Sequence, residues 1–165
     1  MSTAIPPRPR LVGSNLRQIS VKRRFVIVAS QFNSQYVQGM VDHAVAELRA
    51  LLPNSQVDLH QVPGAFEIPI VVREVARQKK PDAILAMGVI LKGKTEHAAQ
   101  IGQAITDALQ RIAIEDGVPV IHAVLSLTTE TQARERCLDD EMNRGTEAAR
   151  TAVHMANVFA DLRVK

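Results

Sequence analysis

Tryptophan is absent from the chain and the other aromatics are scarce, Phe, Tyr and Trp together making up 3% of 165 residues. That argues against a nucleic-acid platform of stacked rings, and equally against a core or binding face built from many aromatics. Cysteine occurs once, as Cys137, so no internal disulfide can form. No stretch approaches the roughly 18 uninterrupted apolar residues of a membrane span. The opening stretch MSTAIPPRPRLVGSNLRQISVKRR lacks the apolar core of a secretory signal, and a cytoplasmic address is the resulting expectation. It also lacks acidic residues: Arg8, Arg10, Arg17, Lys22, Arg23 and Arg24 precede Phe25 with no Asp or Glu among them. The whole chain has 20 basic and 17 acidic residues, so setting those six apart leaves the remainder net acidic by three. Such a basic segment suits either a nucleic-acid or membrane contact or a solvated, Pro-containing arm laid on a neighbouring subunit; the arm is the preferred reading.

What is present is ordinary for a globular domain: 46% hydrophobic and 22% charged residues. A chain of this length fits one domain that buries roughly 68–70% of the surface exposed when unfolded. The expected division is an arm over residues 1–24 and a single domain over residues 25–165. From there the chain alternates. RFVIVAS is a β-branched apolar run, and in the segment after it Val37, Met40, Val41, Ala44, Val45 and Leu48 recur at helical spacing. SQVDLHQV shows period two, with Val57, Leu59 and Gln61 on one face, and EIPIVVREVARQKK returns to helical spacing before Pro81. DAILAMGVIL reads as a strand buried on both faces and PVIHAVLSL as a fourth such strand, with a long helix between them closed by Gly117. Two more helices follow, TETQARERCL and NRGTEAARTAVHMANVFADL. Strands alternating with helices imply right-handed crossovers, hence an α/β fold with a parallel sheet covered on both faces.

In such sheets ligands sit outside the carboxyl ends of the strands. The chemistry is therefore expected in the loops after Ser30, Val62, Leu91 and Leu125, which hold QFN, PGAFE, KGKTEH and SLTTE. Lys92-Gly93-Lys94-Thr95 leads into a helix whose first N–H groups have no partner within the helix and face the positive end of its dipole, a site fit for phosphate. Gly93 permits close backbone approach, and Thr95 is a good N-cap. His97 places an imidazole, a ready proton carrier, in the first turn. The same residues also describe a capped surface helix with a solvated histidine. They are not a Walker loop, because the upstream glycine is missing and the motif follows the third strand.

Taken together, FN after the first strand, VPGAFEIP after the second, KGKTEH after the third and ETQARER with NRG near the end resemble lumazine synthase. The resemblance runs from about Phe25 to Leu162. It implies a flavodoxin-like three-layer α/β/α sandwich with a central four-stranded parallel sheet. The implied activity is condensation of 5-amino-6-(D-ribitylamino)uracil with 3,4-dihydroxy-2-butanone 4-phosphate to 6,7-dimethyl-8-ribityllumazine, phosphate and water, without metal or organic cofactor. By the matching motifs Phe32 would stack on the pyrimidine and Asn33 would hold the ribityl side. Ala65, Phe66 and Glu67 would meet the pyrimidine edge and ribityl hydroxyls, with Val89 and Ile90 beside them. Gly93, Lys94 and Thr95 would bind the phosphate together with Arg136, whose planar fork suits it. His97 would move protons. Without the family, Phe32 could be a core residue, Glu67 a helix N-terminal acid and Arg136 a solvated helix residue.

The chain departs from the family in three places. Ala98 stands where an aromatic residue usually follows the motif histidine. PVIHA replaces PVIFG, putting His122 where a Phe lines the pocket, either facing the pyrimidine or satisfied at the strand end. LDDEMNRG replaces GTKAGNKG, so Asp140 takes a lysine position while Arg144 keeps the positive charge expected at the pyrimidine carbonyl. His43, His60 and His154 match no motif and read as surface or packing residues.

The family forms pentamers with active sites between subunits, and Ser126 and Leu127 would act on the neighbour's ligand. RCLDDEMNRG has the length of members that build sixty-subunit icosahedral shells, although the Asp139-Asp140-Glu141 cluster could repel across pentamer contacts. Other readings share parts of the pattern. A flavodoxin-like electron carrier would need a Ser/Thr-rich phosphate loop where this chain has SQFNSQY. A non-catalytic lumazine- or flavin-binding shell protein would have no use for His97 and Arg136. A riboflavin synthase relative on the same fold is separated by its product. An RNA-binding module would show a steep salt dependence that disappears when residues 1–24 are deleted.

Overall fold

A computed structural model describes residues 7–8, 22–92 and 97–163. Four strands form one sheet: β1 (Arg24–Ser30), β2 (Gln56–Val62), β3 (Ala83–Leu91) and β4 (Val120–Leu127). All pairings are parallel, in the order β2-β1-β3-β4, with Phe25 opposite both Val57 and Ala83, and Ile84 opposite Val120. The order reverses between β1 and β3, which places the switch point, and hence the expected ligand crevice, at their carboxyl ends.

Five helices cover the sheet: α1 (Ser34–Leu51), α2 (Ile68–Lys79), α3 (His97–Asp116), α4 (Glu130–Cys137) and α5 (Arg144–Arg163), with a short 3₁₀ turn over Ala65–Glu67. One core joins Phe25, Ile27 and Leu85 of the sheet to Met40 and Leu48 of α1, Cys137 of α4 and Ala149 of α5. The other joins Val26, Val28 and Ile84 to Ile68 and Val72 of α2 and Ile105 and Leu109 of α3. The three-layer α/β/α sandwich anticipated from the alternation is thus observed. Alternate residues of β1 feed opposite cores because side chains alternate across a strand.

The outer strand β2 differs from its reading. Of the period-two face Val57, Leu59 and Gln61, only Val57 packs against a core, while Leu59 and Gln61 are exposed. The cause is position, since the largest fully buried side chains of the sheet belong to β1 and β3.

Ion pairs tie neighbouring elements together within a layer. Glu47 of α1 accepts from Arg150 Nε of α5 at 2.9 Å and from Arg8 Nε at 2.9 Å. Burial alone would raise the Glu47 carboxyl, but these two arginines outweigh it and hold the group below its ordinary value. Asp82, just before β3, accepts from Arg23 Nη1 and from the Arg24 backbone N–H, both at 2.8 Å, and Asp58 of β2 binds Arg24 at 2.7 Å. These two arginines, counted with the basic segment in sequence, are therefore tied to the start of the sheet. Cys137 is fully buried, and its desolvated thiol is pushed up to about 12 despite the nearby Arg136 charge.

Glycine sets the closest helix crossing. A Cβ on Gly145 of α5 would lie 1.9 Å from Met40 O of α1. The turn between α4 and α5 is in turn tied to α1 by His43, whose Nδ1 meets Gly39 O at 2.8 Å and whose Nε2 meets Asp140 Oδ1 at 2.9 Å. Both partners accept, so the doubly protonated ring satisfies both. Burial lowers the His43 pKa, but the Asp140 and Gly39 bonds and the Asp140 and Asp42 charges more than offset this, and the net direction is upward.

Two outcomes are expected. Gly145→Ala should destabilise the fold by about 1–3 kcal/mol through overpacking, read as a lower denaturant midpoint, and an unchanged midpoint would show that α1 and α5 can part freely. For His43 a raised folded-state pKa means stability fully present below the unfolded value near 6.5 and lost as pH rises through the folded value. Asp140→Asn should accordingly cost about 0.2–1 kcal/mol near pH 5.5 and progressively less toward pH 8.5, Asp140 being exposed. Urea unfolding at the two pH values measures it, and a cost independent of pH would refute the ion pair.

Candidate functional site

The carboxyl ends of β1 and β2 keep pairing beyond the strands. Gln31 N donates to Val62 O at 2.8 Å and Phe32 N to Pro63 O at 3.2 Å, which sets Phe32 beside the loop carrying Ala65, Phe66 and Glu67. Phe32 is 73% exposed and Phe66 62% exposed, so neither is a core residue. Two exposed phenyl rings on adjoining loops are a cost in water unless a flat apolar ligand covers them. Glu67, also exposed, ends the 3₁₀ turn and directly precedes α2, where the positive end of the helix dipole favours a carboxylate. Its Oε2 lies over Gly64, so close that a Cβ there would stand 2.8 Å away.

Asn33 occupies the N-cap of α1 in the left-handed region, φ 55 and ψ 42, which Asn tolerates better than most residues. Its side chain does not cap the helix. Instead Nδ2 donates to Val89 O at 2.8 Å, bridging the β1 loop to the end of β3 across the switch point. Val89 is buried and Ile90 half-buried at that end. Gly93, Lys94 and Thr95 lie outside the described residues; His97, exposed, is the first residue of α3.

A second group lies elsewhere on the same chain. An open groove of about 1400 Å³ runs along the free edge of β4 between α3 and α5, lined among others by Lys92, Thr106, His122, Ser126, Leu127, Arg136 and Arg144. None of Phe32, Asn33, Phe66, Glu67, Val89, Ile90 or His97 lines it. The site residues read from sequence are thus gathered as two surfaces.

Within the groove Arg136, on the last turn of α4, is half-buried and paired with no carboxylate among the described residues. Arg144 is held by Glu147 one turn further along α5. His122 makes two hydrogen bonds: its Nδ1 accepts from Val124 N at 3.2 Å, and its Nε2 lies 2.8 Å from Thr106 Oγ1, which donates to Gly102 O at 2.8 Å. The histidine that the sequence left open between pocket and strand end is therefore satisfied at the strand and also lines the groove. Although the residue is partly exposed, desolvation of its ring between β4 and α3 pushes its pKa below the ordinary value, against a weaker opposing backbone hydrogen bond.

Sequence reasoning missed Thr106 and Glu147. Glu147, three residues after Arg144 on one helix, was detectable by its spacing, whereas Thr106 carried no local signal, because its partner is set by the approach of α3 to β4. Among the described residues no group of three or more His, Cys, Asp or Glu is placed to hold a metal ion, and no helix is long and apolar enough to cross a membrane.

A family profile for 6,7-dimethyl-8-ribityllumazine synthase matches residues 22–160. The protein named 6,7-dimethyl-8-ribityllumazine synthase from Halorhodospira halophila (strain DSM 244 / SL1) is 35% identical over 140 residues, covering 84% of this chain and 90% of that relative. With the sheet order, the switch-point loops and a match over nearly all of the folded body in agreement, the chain belongs to the 6,7-dimethyl-8-ribityllumazine synthase family.

Proposed function

We infer that the chain condenses 5-amino-6-(D-ribitylamino)uracil with 3,4-dihydroxy-2-butanone 4-phosphate, forming 6,7-dimethyl-8-ribityllumazine and releasing inorganic phosphate and water, a transferase step of riboflavin biosynthesis. The family match over residues 22–160 carries this reading. The roles assigned to side chains are those of the family motifs they match, and the exposure of Phe32, Phe66, Glu67 and His97 supports them. Phe32 stacks on the pyrimidine, while Phe66, Ala65 and Glu67 receive its edge and the ribityl hydroxyls. Asn33 fixes the loop that presents Phe32, its amide being committed to Val89 O. Gly93, Lys94 and Thr95, which precede His97 in sequence, would cradle the phosphate, and the Arg136 guanidinium would supply a fork for it. His97, at the first turn of α3, takes and returns protons as the imine forms, phosphate leaves and the ring closes. Metal and organic cofactors have no part in this scheme, and the reaction belongs in the cytoplasm.

The separation of the two surfaces supports an active site shared between subunits. Phe32, Glu67 and His97 of one chain would meet His122, Ser126, Leu127, Arg136 and Arg144 of the next, in a pentamer. The length of the α4–α5 turn favours pentamers assembled into an icosahedral shell, and the His43 pairing offsets part of the acidic charge at Asp139, Asp140 and Glu141 that would oppose it. A non-catalytic lumazine-binding protein is less favoured, because it would have no need of His97 beside a phosphate site.

Supplying both substrates and following the absorbance and fluorescence of the lumazine tests the activity, and no product in several buffers would overturn it. In that assay His97→Ala should lower turnover about 10²–10⁴-fold, the usual worth of a positioned proton carrier; wild-type turnover would remove His97 from the mechanism. Mixing denatured His97→Ala and Arg136→Ala chains in equal amounts and refolding them together should restore intact sites at about a quarter of interfaces in a closed ring. If each site were built within one chain, no activity would return.

A further inference from the structure

The hydrogen bonds of His122 to Val124 and Thr106 are met together by one neutral tautomer. Val124 N can only donate, so Nδ1 must carry a lone pair. The proton of the neutral ring then sits on Nε2 and is donated to Thr106 Oγ1, whose own proton goes to Gly102 O. Protonating the ring would require Nδ1 to give up the Val124 N–H, and desolvation acts in the same direction, against a weaker opposing backbone hydrogen bond. Both nitrogens are thus occupied by the protein, and what the residue has left to offer the groove is its carbon edge and ring face.

We propose that Thr106 is a positioning residue which, with the Val124 amide, locks His122 in the Nε2–H tautomer, so that His122 serves the bound pyrimidine as an aromatic surface and not as a proton donor or acceptor. This deepens the synthase reading and rests on it. Other ionisable groups line the groove, namely Lys92, Arg136, Arg144 and Glu147, but none is hydrogen-bonded to the imidazole. Asp107, next to Thr106 on α3, is engaged by Gln103 at 3.0 Å. Proton transfer is left to His97, on the other surface.

The test is a double-mutant cycle in the full-length oligomer, read by lumazine formation and by nitrogen-15 NMR of the imidazole. Thr106→Val should raise KM for the ribitylaminouracil about two- to tenfold, the worth of one well-placed aromatic contact, with kcat nearly unchanged. Thr106→Ser, keeping the hydroxyl, should restore the wild-type KM. His122→Phe, which keeps a ring but neither nitrogen, should raise KM less than His122→Ala, which removes the ring. In the His122→Phe background Thr106→Val should have no further effect, because the ring no longer needs its hydroxyl. The wild-type spectrum should show Nε2 protonated and Nδ1 bare.

A loss of kcat by about 100-fold or more in His122→Phe would identify a proton-transfer role and overturn the proposal. So would an undiminished Thr106→Val effect in the Phe background, which would mark Thr106 as merely structural, or an Nδ1–H tautomer. If the wild type makes no lumazine, the synthase reading falls and takes the stacking role with it, while the NMR tautomer separately decides whether the lock exists.

Discussion

The pairing of β1 with β3 is the constraint on which the candidate site depends. It is fixed at both ends. At the amino end Asp82 accepts from the Arg23 side chain and the Arg24 backbone, and at the carboxyl end Asn33 reaches across to Val89 O. Between them Gly88 comes so close to Ser30 that a Cβ would stand 3.1 Å from Ser30 Oγ. A slip of one residue would turn every side chain of the strand to the opposite face, exchanging the Phe25 and Ile27 core for the Val26 and Val28 core. The loop presenting Phe32 would then leave the crevice. The left-handed backbone at Asn33 is strain tolerated for the same purpose, since a conventional N-cap would point its side chain at the helix.

The fold was legible because most elements carried their period plainly, the outer strand β2 being the exception. β3 is apolar without interruption, as a strand covered on both sides must be, and Gly117, at φ 63, ends α3 where the sequence placed the stop. The positions of the site loops followed from strand polarity alone. What stayed hidden were pairings between residues far apart in the chain: Glu47 with Arg150, His43 with Asp140, His122 with Thr106. Local pattern carries no information about such partners, because each is chosen by the three-dimensional approach of two elements. The exposure of Phe32 was equally out of reach of periodicity, which cannot distinguish a phenyl ring at a strand end that turns inward from one that turns out.

The departures from the family become less disruptive once their partners are known. Asp140 replaces a lysine, but its charge is engaged by His43 on α1, away from the groove. Arg144 keeps a positive charge but shares it with Glu147, so its pull on a carbonyl is softened, whereas Arg136 is held by no carboxylate among the described residues. Lys92 and Arg136 are therefore the groove cations for which no carboxylate partner is seen among the described residues. His122 in place of a phenyl ring alters polarity less than its name suggests, both nitrogens being consumed by the protein.

Cys137 sits at the centre of the α1–α4 contact, with its backbone carbonyl so near Gly39 that a Cβ there would be 2.4 Å away. Burial pushes the thiol up to about 12, so it is protonated at neutral pH. Attack on disulfides and oxidation by peroxide both require the thiolate. A multi-chain assembly of this protein would carry one thiol per subunit, buried and held protonated, so that no disulfide could join subunits while the fold is intact. Such an assembly would consequently associate and dissociate without regard to thiol–disulfide exchange in the compartment around it.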